Sequence, residues 1–480
     1  MKAYSRGKFL KVPSRKTKIV CTLGPATDSE DMVRSLIIKG ADCFRLNFSH
    51  GTPEEHGRRI SMIRRIAEEL ERPVAIMQDL PGPKVRVGLL REGVMQLRKG
   101  DSVKLVEEDM YSGSEKEIPI NMERFSEAVR DGVTISLADG TIRLKVVKKH
   151  EDAVECVCIQ GGQLVSGKGV NIAELSYSGL TEKDRKLMKF GIDNGVDLVA
   201  VSFVRSAQDM VEARREIERI GKEEKPLLVA KIEKKEALKD LTNIIKQSDC
   251  VMVARGDLGV ENPIENVPMI QKQIINLSLL YAKPTITATQ ILESMVINPT
   301  PTRAEVTDIA NAIIDGTDAL MLSEETAVGK YPVECVEVLD KVARVTEARM
   351  IKKLARFDAV NGDVLSSLTE AAVRISEETS SKVIVSLSDS PEFVCQVTRH
   401  KPQAEVIVPT SSQKRMRVLS ILWGVIPTYL TGLSNKVDEM ASQVAERFEL
   451  GREQLCVAVG KEAMGEGGLF VFRPRRATLQ

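Results

Sequence analysis

Short apolar runs of four to six residues recur along the chain, at 18–23, 43–48, 74–78, 198–203, 227–232, 250–254, 285–289 and 319–322. Their apolar character is continuous rather than alternating, as expected of strands buried on both faces of a parallel sheet. Between them lie longer stretches with apolar residues three and four apart, at 54–70, 182–194, 207–220, 238–247, 269–281 and 303–314. Ser29 stands as an N-cap before a further helix at 30–38, and another helix begins near Pro332. Strands alternating with helices, eight times over, predict an α/β fold, a (β/α)8 TIM barrel.

The alternation is interrupted between the third and fourth runs. Residues 85–170 hold short alternating segments (VMQLRKGDSVKLV, VTISLADGTIRLKVV, AVECVCI) divided by Gly, Asp and Asn. They predict a small β-barrel lid domain inserted into a barrel loop. From about 345 the texture changes again: KVIVSL, AEVIVP, IPTYL and LCVAVG alternate with helical stretches, predicting an open α/β domain with a parallel sheet. The expected organisation is a barrel from 1–84 and 171–344, a lid from 85–170 and a C-terminal α/β domain from 345–480.

Composition narrows the function classes. At 480 residues, 42% hydrophobic and 29% charged, the chain has the make-up of a soluble globular protein. A net charge of +1 provides no broad basic field, and a single Trp provides no stacking platform, so nucleic acid is not an expected partner. No apolar run approaches the roughly 20 residues that span a bilayer. The basic N-terminus lacks the apolar core of a secretory signal. The eight cysteines fall mostly in apolar runs, and the close pair Cys156 and Cys158 lacks metal-ligand spacing. Reduced cysteines and a cytoplasmic location follow as expectations. Four scattered histidines argue against zinc.

A barrel of this kind places its chemistry at the C-terminal strand ends. These read Arg45-Leu46-Asn47-Phe48-Ser49-His50, Asp79, Ser202, Lys231-Ile232-Glu233, Arg255-Gly256-Asp257, Thr289-Gln290 and Ser323-Glu324-Glu325. Any one of them is an ordinary solvated loop; together they make a site. Lys231 and Glu233, two apart on one strand, share a face. Glu233 and Asp257 suit a Mg2+ ion that keeps waters and takes its other ligands from substrate. Arg45 and Lys231 supply the cations a phosphoryl group in transfer requires. A P-loop-like string, Gly162 to Gly169 with Lys168, fails as a P-loop because Gly169 stands where a Ser or Thr is needed.

Eight strings carry a specific resemblance: TKIVCTLGPAT (17–27), RLNFSHG (45–51), KGVN (168–171), KIE (231–233), VMVARGDLGVE (251–261), TATQILESM (287–295), PTRAEVTDIANAIIDGTDALM (301–321) and LSEETAVGKYP (322–332). In order, from about residue 16 to 345 and more weakly beyond, they resemble the pyruvate kinase family. The resemblance implies phosphoryl transfer from phosphoenolpyruvate to ADP, giving pyruvate and ATP, with Mg2+ or Mn2+, in a homotetramer. It implies that Lys231 steadies the transferring group and that Glu233 and Asp257 hold the metal. Arg45 and Arg86 match phosphate-contacting arginines. Thr289 matches the threonine beside the substrate methylene, with Ser202, Ser323 and Gly256 around the substrate. Pro25, Asn47, His50 and Lys168 match nucleotide contacts.

One departure concerns the monovalent cation that many family members require. The matching positions are Asn47, Ser49, Asp79 and residue 80, with a glutamate nearby. Here residue 80 is Leu80 where the K+-requiring pattern has Thr, and residue 84 is Lys84 where it has Glu. A lysine ammonium substitutes for the ion's charge, so K+ is not expected to be needed. In the C-terminal domain, Ser386, Ser388 and Ser390 sit where the family's effector phosphate loop lies. Asp389 adds a negative charge there, which leaves a sugar phosphate, a nucleotide, no effector, or an ordinary helix N-cap as readings. Two rival functions are an aldolase-type lyase using Lys231 as a Schiff base and a catalytically inactive metabolite sensor.

Overall fold

A computed structural model describes residues 15–83, 85–122, 125–138, 140–172, 179–349, 364–434, 437–448, 450, 453–461 and 467–474. The eight predicted runs form a closed barrel of parallel strands: Lys18–Thr22, Cys43–Asn47, Ala75–Asp79, Leu198–Val201, Leu227–Ile232, Cys250–Ala254, Thr285–Ala288 and Ala319–Leu322. The first strand pairs with both the second and the eighth, which closes the ring. Nearly every strand residue is buried, because barrel side chains fill the interior on one face and meet helices on the other. The helices begin where the sequence signals place them. Ser29 caps Glu30–Lys39, and capping boxes at Thr52 and Thr302 open Pro53–Glu69 and Arg303–Asp315.

A fourfold device sits at the N-terminal rim. Asp42, Asp197, Asp249 and Asp318 each stand just before an even-numbered strand. Each carboxylate accepts the backbone N–H of the preceding odd-numbered strand: Ile19 (2.9 Å), Ile76 (2.8 Å), Leu228 (2.8 Å) and Thr285 (2.9 Å). The same aspartates donate their own N–H groups back to those residues' carbonyls. Strands one and two, three and four, five and six, and seven and eight are thereby joined in pairs. The sequence shows the repeat as GADCF, GVDLV, QSDCV and GTDAL.

The chain divides into two compact units. One comprises residues 1–80, 183–258 and 265–480, and the other residues 81–182 with 259–264. The second unit holds the inserted domain, a six-stranded and a two-stranded sheet around a core that includes Leu105, Ile118, Phe125, Ile135 and Leu144. Arg86 bridges to Gly169 and Val87 to Ile120, drawing opposite edges of the larger sheet together.

The first unit joins the barrel to the C-terminal α/β domain. That domain's sheet runs in the order Val425–Tyr429, Glu405–Thr410, Val383–Ser386, Cys456–Lys461 and Gly467–Phe472. Four strands are parallel as expected, and the fifth is an antiparallel edge strand. The domain docks on the barrel's N-terminal rim, using the same aspartates. Arg417 pairs with Asp197 at 3.0 Å and Lys401 with Asp318 at 2.7 Å, while Ser420 Oγ donates to the Asp42 carbonyl. The catalytic end of the barrel is left at the opposite end of the strands.

Candidate active site

The C-terminal ends of strands three, four and five bring four side chains into one cluster. Lys231 Nζ lies 2.7 Å from Ser202 Oγ, 2.8 Å from Glu233 Oε1 and 3.1 Å from Asp79 Oδ1. Three partners match the three hydrogens an ammonium can donate. Arg45, from strand two, donates through Nε to Asp79 Oδ2 at 2.6 Å and through Nη1 to Thr22 Oγ1 at 3.2 Å. Ser202 Oγ donates to the Leu80 carbonyl at 2.8 Å. The register places these groups together. Arg45 is level with Met77, while Lys231 and Glu233 alternate with the wall-facing Ile232.

The charges settle the protonation states. Burial works against the Lys231 ammonium, but the carboxylates of Asp79 and Glu233 outweigh it and hold its pKa above the ordinary lysine value. Burial works against the Asp79 carboxylate too, and Lys231 and Arg45 reverse that, holding its pKa below the usual range. Glu233 differs. Burial raises its pKa, Lys231 only partly offsets this, and the like charge of Asp257 adds to the rise. A lysine so firmly charged is a fixed cation rather than a Schiff-base amine, which disfavours the lyase reading.

Glu233 and Asp257 therefore face each other as carboxylates that repel, the arrangement a divalent cation relieves. Glu233 is also anchored from behind: its Oε2 accepts the Phe203 N–H at 2.7 Å, and Phe203 itself has φ of 58°. No group of three or more metal-ligating side chains occurs among the described residues. Two protein carboxylates suit a Mg2+ that keeps water and substrate oxygens for its other positions.

The seventh strand ends in backbone strain. Thr289 and Gln290 both have positive φ, 68° and 53°, a region costly for non-glycine residues. Arg255 holds them there. Its guanidinium donates to the Thr289 carbonyl at 2.7 Å and the Gln290 carbonyl at 3.0 Å, and pairs with Asp308 at 2.6 Å. The Gly256 N–H donates to Thr289 Oγ1 at 2.8 Å. On the next loop the wholly buried Glu325 accepts the N–H groups of Leu292 (2.9 Å) and Ser323 (2.6 Å). Ser323 Oγ is buried and has no hydrogen-bond partner among the described residues.

Around the rim, Pro25 and His50 are exposed. Pro25 follows Gly24, where a Cβ would meet the Ala327 carbonyl oxygen at 2.6 Å, so only glycine lets that loop pack so closely. Asn47 Oδ1 accepts the Ser49 N–H at 3.1 Å. Leu80 is buried, and Lys84 lies outside the described residues. In the inserted domain, Arg86 donates to the Gly167 carbonyl at 2.8 Å, and Lys168 is exposed on the same segment. Reading the sequence missed Arg255, Glu325 and Thr22 as parts of the site. Arg255 and Glu325 were visible as polar strand ends, but nothing in their spacing showed that they hold backbone.

The turn at 386–390 is internally satisfied. Ser386 Oγ donates to the Ser388 carbonyl at 2.7 Å, Ser390 Oγ bonds Glu392, and Asp389 is bound by Thr410 and Arg415, each at 2.6 Å. Ser390 occupies the N-cap position of Pro391–Thr398 without making a side-chain cap bond.

Comparison with known proteins follows the same layout. The family model for the pyruvate kinase barrel domain matches residues 14–336, and that for the pyruvate kinase alpha/beta domain matches 366–469. A pyruvate kinase from Thermotoga maritima is 41% identical over 442 residues, covering 91% of this chain and 93% of its own. Pyruvate kinase 2 from Synechocystis is 43% identical over 463 residues, 95% of this chain and 78% of its own. A solved pyruvate kinase structure from Cryptosporidium parvum matches with a TM-score of 0.89 at 29% identity, covering 97% of each chain.

Proposed function

The chain belongs to the pyruvate kinase family, and from that premise we propose that its barrel mouth transfers the phosphoryl group of phosphoenolpyruvate to ADP with Mg2+ and without a need for K+. The observation that carries this reading is the Lys231 cluster, a buried, fully charged ammonium flanked by Arg45 and by the carboxylates Glu233 and Asp257.

Phosphoryl transfer asks little covalent chemistry of a protein and much placement of charge. Lys231 and Arg45 offer positive charge to the equatorial oxygens, held still by Asp79 and Ser202 so that little reorganisation accompanies the reaction. Glu233 and Asp257 would hold Mg2+, which when bound neutralises phosphate and carboxylate oxygens of the substrate. Thr289, clamped by Arg255 and Gly256, and the free hydroxyl of Ser323 lie where the enolate of pyruvate would be protonated. Asn47, His50 and Pro25 form the nucleotide edge of the barrel rim. Arg86 and Lys168 are the cations the inserted domain offers to phosphates.

Independence from K+ rests on charge matching. Asp79 is already neutralised by Arg45 and Lys231, Leu80 offers no side-chain oxygen, and Lys84 supplies a further positive charge. Assembly as a homotetramer and a cytoplasmic location belong to the same reading. Apolar Met269, Ile297 and Ile314 are exposed on and beside two adjacent outer helices, and all eight cysteines are free and buried.

A coupled assay for pyruvate formed from phosphoenolpyruvate, ADP and MgCl2 tests the reaction. Turnover is expected in tetramethylammonium buffer and to change little on adding KCl; many-fold activation would remove the K+ claim while leaving the reaction in place. Lys231→Met is expected to lose turnover yet retain phosphoenolpyruvate binding. Substantial residual activity in that variant would overturn the role given to Lys231.

A further inference from the structure

Cations without carboxylate partners gather away from the barrel mouth. A cavity of about 250 Å³ lies between the barrel's N-terminal rim and the C-terminal domain. It is bounded by the start of the first strand, the turn after helix Pro53–Glu69, helix Gln413–Leu419 and strand Val425–Tyr429. Seven cationic side chains line it against four carboxylates. Two of the four, Glu68 and Glu71, are solvent-exposed, and Asp42 is taken by Arg15 at 2.9 Å. Arg64 and Arg417 share Asp197.

Two cations remain unmatched. Lys18 is 7% exposed, and its ammonium reaches only the Val425 carbonyl, at 2.8 Å. The Arg72 guanidinium has neither a hydrogen bond nor an ion pair among the described residues. Each of these charges disfavours the other, as does Arg15. Burial lowers the Lys18 pKa to about 8 and that of Arg72 below its ordinary value. Desolvated like charges facing one cavity are unfavourable unless an anion enters between them. Arginine's planar fork and lysine's point charge together suit a doubly charged oxyanion.

We propose that this cavity binds a small multivalent oxyanion, a phosphate monoester or a dicarboxylate, through Arg72 and Lys18. It stands apart from the Ser386–Ser390 turn, whose hydroxyls and carboxylates already satisfy one another. The proposal does not depend on the catalytic reading. A ligand there touches the barrel and the C-terminal domain at once, and so braces their junction.

Isothermal titration of the full chain with inorganic phosphate, glycerol 3-phosphate and succinate tests it, alongside unfolding midpoints. At least one probe is expected to bind and raise the midpoint, equally in wild type and in Lys231→Met. Arg72→Gln and Lys18→Met are each expected to weaken that affinity roughly tenfold or more, with Arg72→Lys losing less. Preference between the phosphates and succinate identifies the source of the charge. The proposal fails if no probe binds wild type at up to about 10 mM, or if binding survives in both Arg72→Gln and Lys18→Met. It also fails if Lys231→Met alone abolishes binding, since the anion is then at the barrel mouth. Lys18→Met keeps the test decisive should Arg72→Gln not fold.

Discussion

Arg255 touches no expected substrate atom, yet it holds the carbonyls of two residues whose backbone would otherwise relax. Its effect on the reaction therefore runs through Thr289. Arg255→Lys keeps the charge and loses the fork that spans both carbonyls and Asp308. We expect kcat to fall about tenfold to a hundredfold, because small misplacements of a reacting group cost that much. KM for the nucleotide should hold, and steady-state kinetics with each substrate varied separates the two. The residues that face the mouth were readable in sequence because polar side chains closing apolar strands are conspicuous. Arg255, Glu325 and Thr22 were not, because their work is to bind backbone or a neighbour's side chain, and that depends on loop geometry no local spacing encodes.

At the level of elements, the strands were legible because burial on both faces leaves an unbroken apolar run, and the helices because capping residues mark their starts. The antiparallel edge strand Gly467–Phe472 escaped because nothing in an apolar segment states its direction. The rim aspartates escaped for another reason: each looks like an ordinary loop residue, and only the barrel shows that it caps the preceding strand. Asp249 is the simplest to test, since its carboxylate serves only the Leu228 N–H and Arg214. Asp249→Ala should cost roughly 1–3 kcal/mol in denaturant unfolding by stranding that N–H. Asp249→Asn should cost less, since it keeps an acceptor, and turnover in both should match wild type.

On the scale of the whole molecule, the join between barrel and C-terminal domain is sensitive to acid. His400 is buried beside Arg399, whose Nε donates to His400 Nε2 at 3.3 Å, and burial with that neighbouring charge lowers its pKa from 6.5 to about 3. Between those values the unfolded chain takes up a proton that the folded chain refuses. The contribution of His400 is full above pH 6.5 and is lost as pH falls toward 3, by up to about 1.4 kcal/mol per pH unit. His400→Gln should flatten the fall in unfolding midpoint across that window; an unchanged slope would mean that other groups govern it. The rim aspartates carry a further consequence, for where the chain tolerates being cut. Each clamp joins an odd strand to the even strand after it, so four two-strand modules make the ring. Breaks after the fourth or sixth strand leave all four clamps inside fragments, whereas a break after the third, fifth or seventh severs one. Split halves divided between modules should reassemble into active enzyme, and halves divided within one should do so poorly.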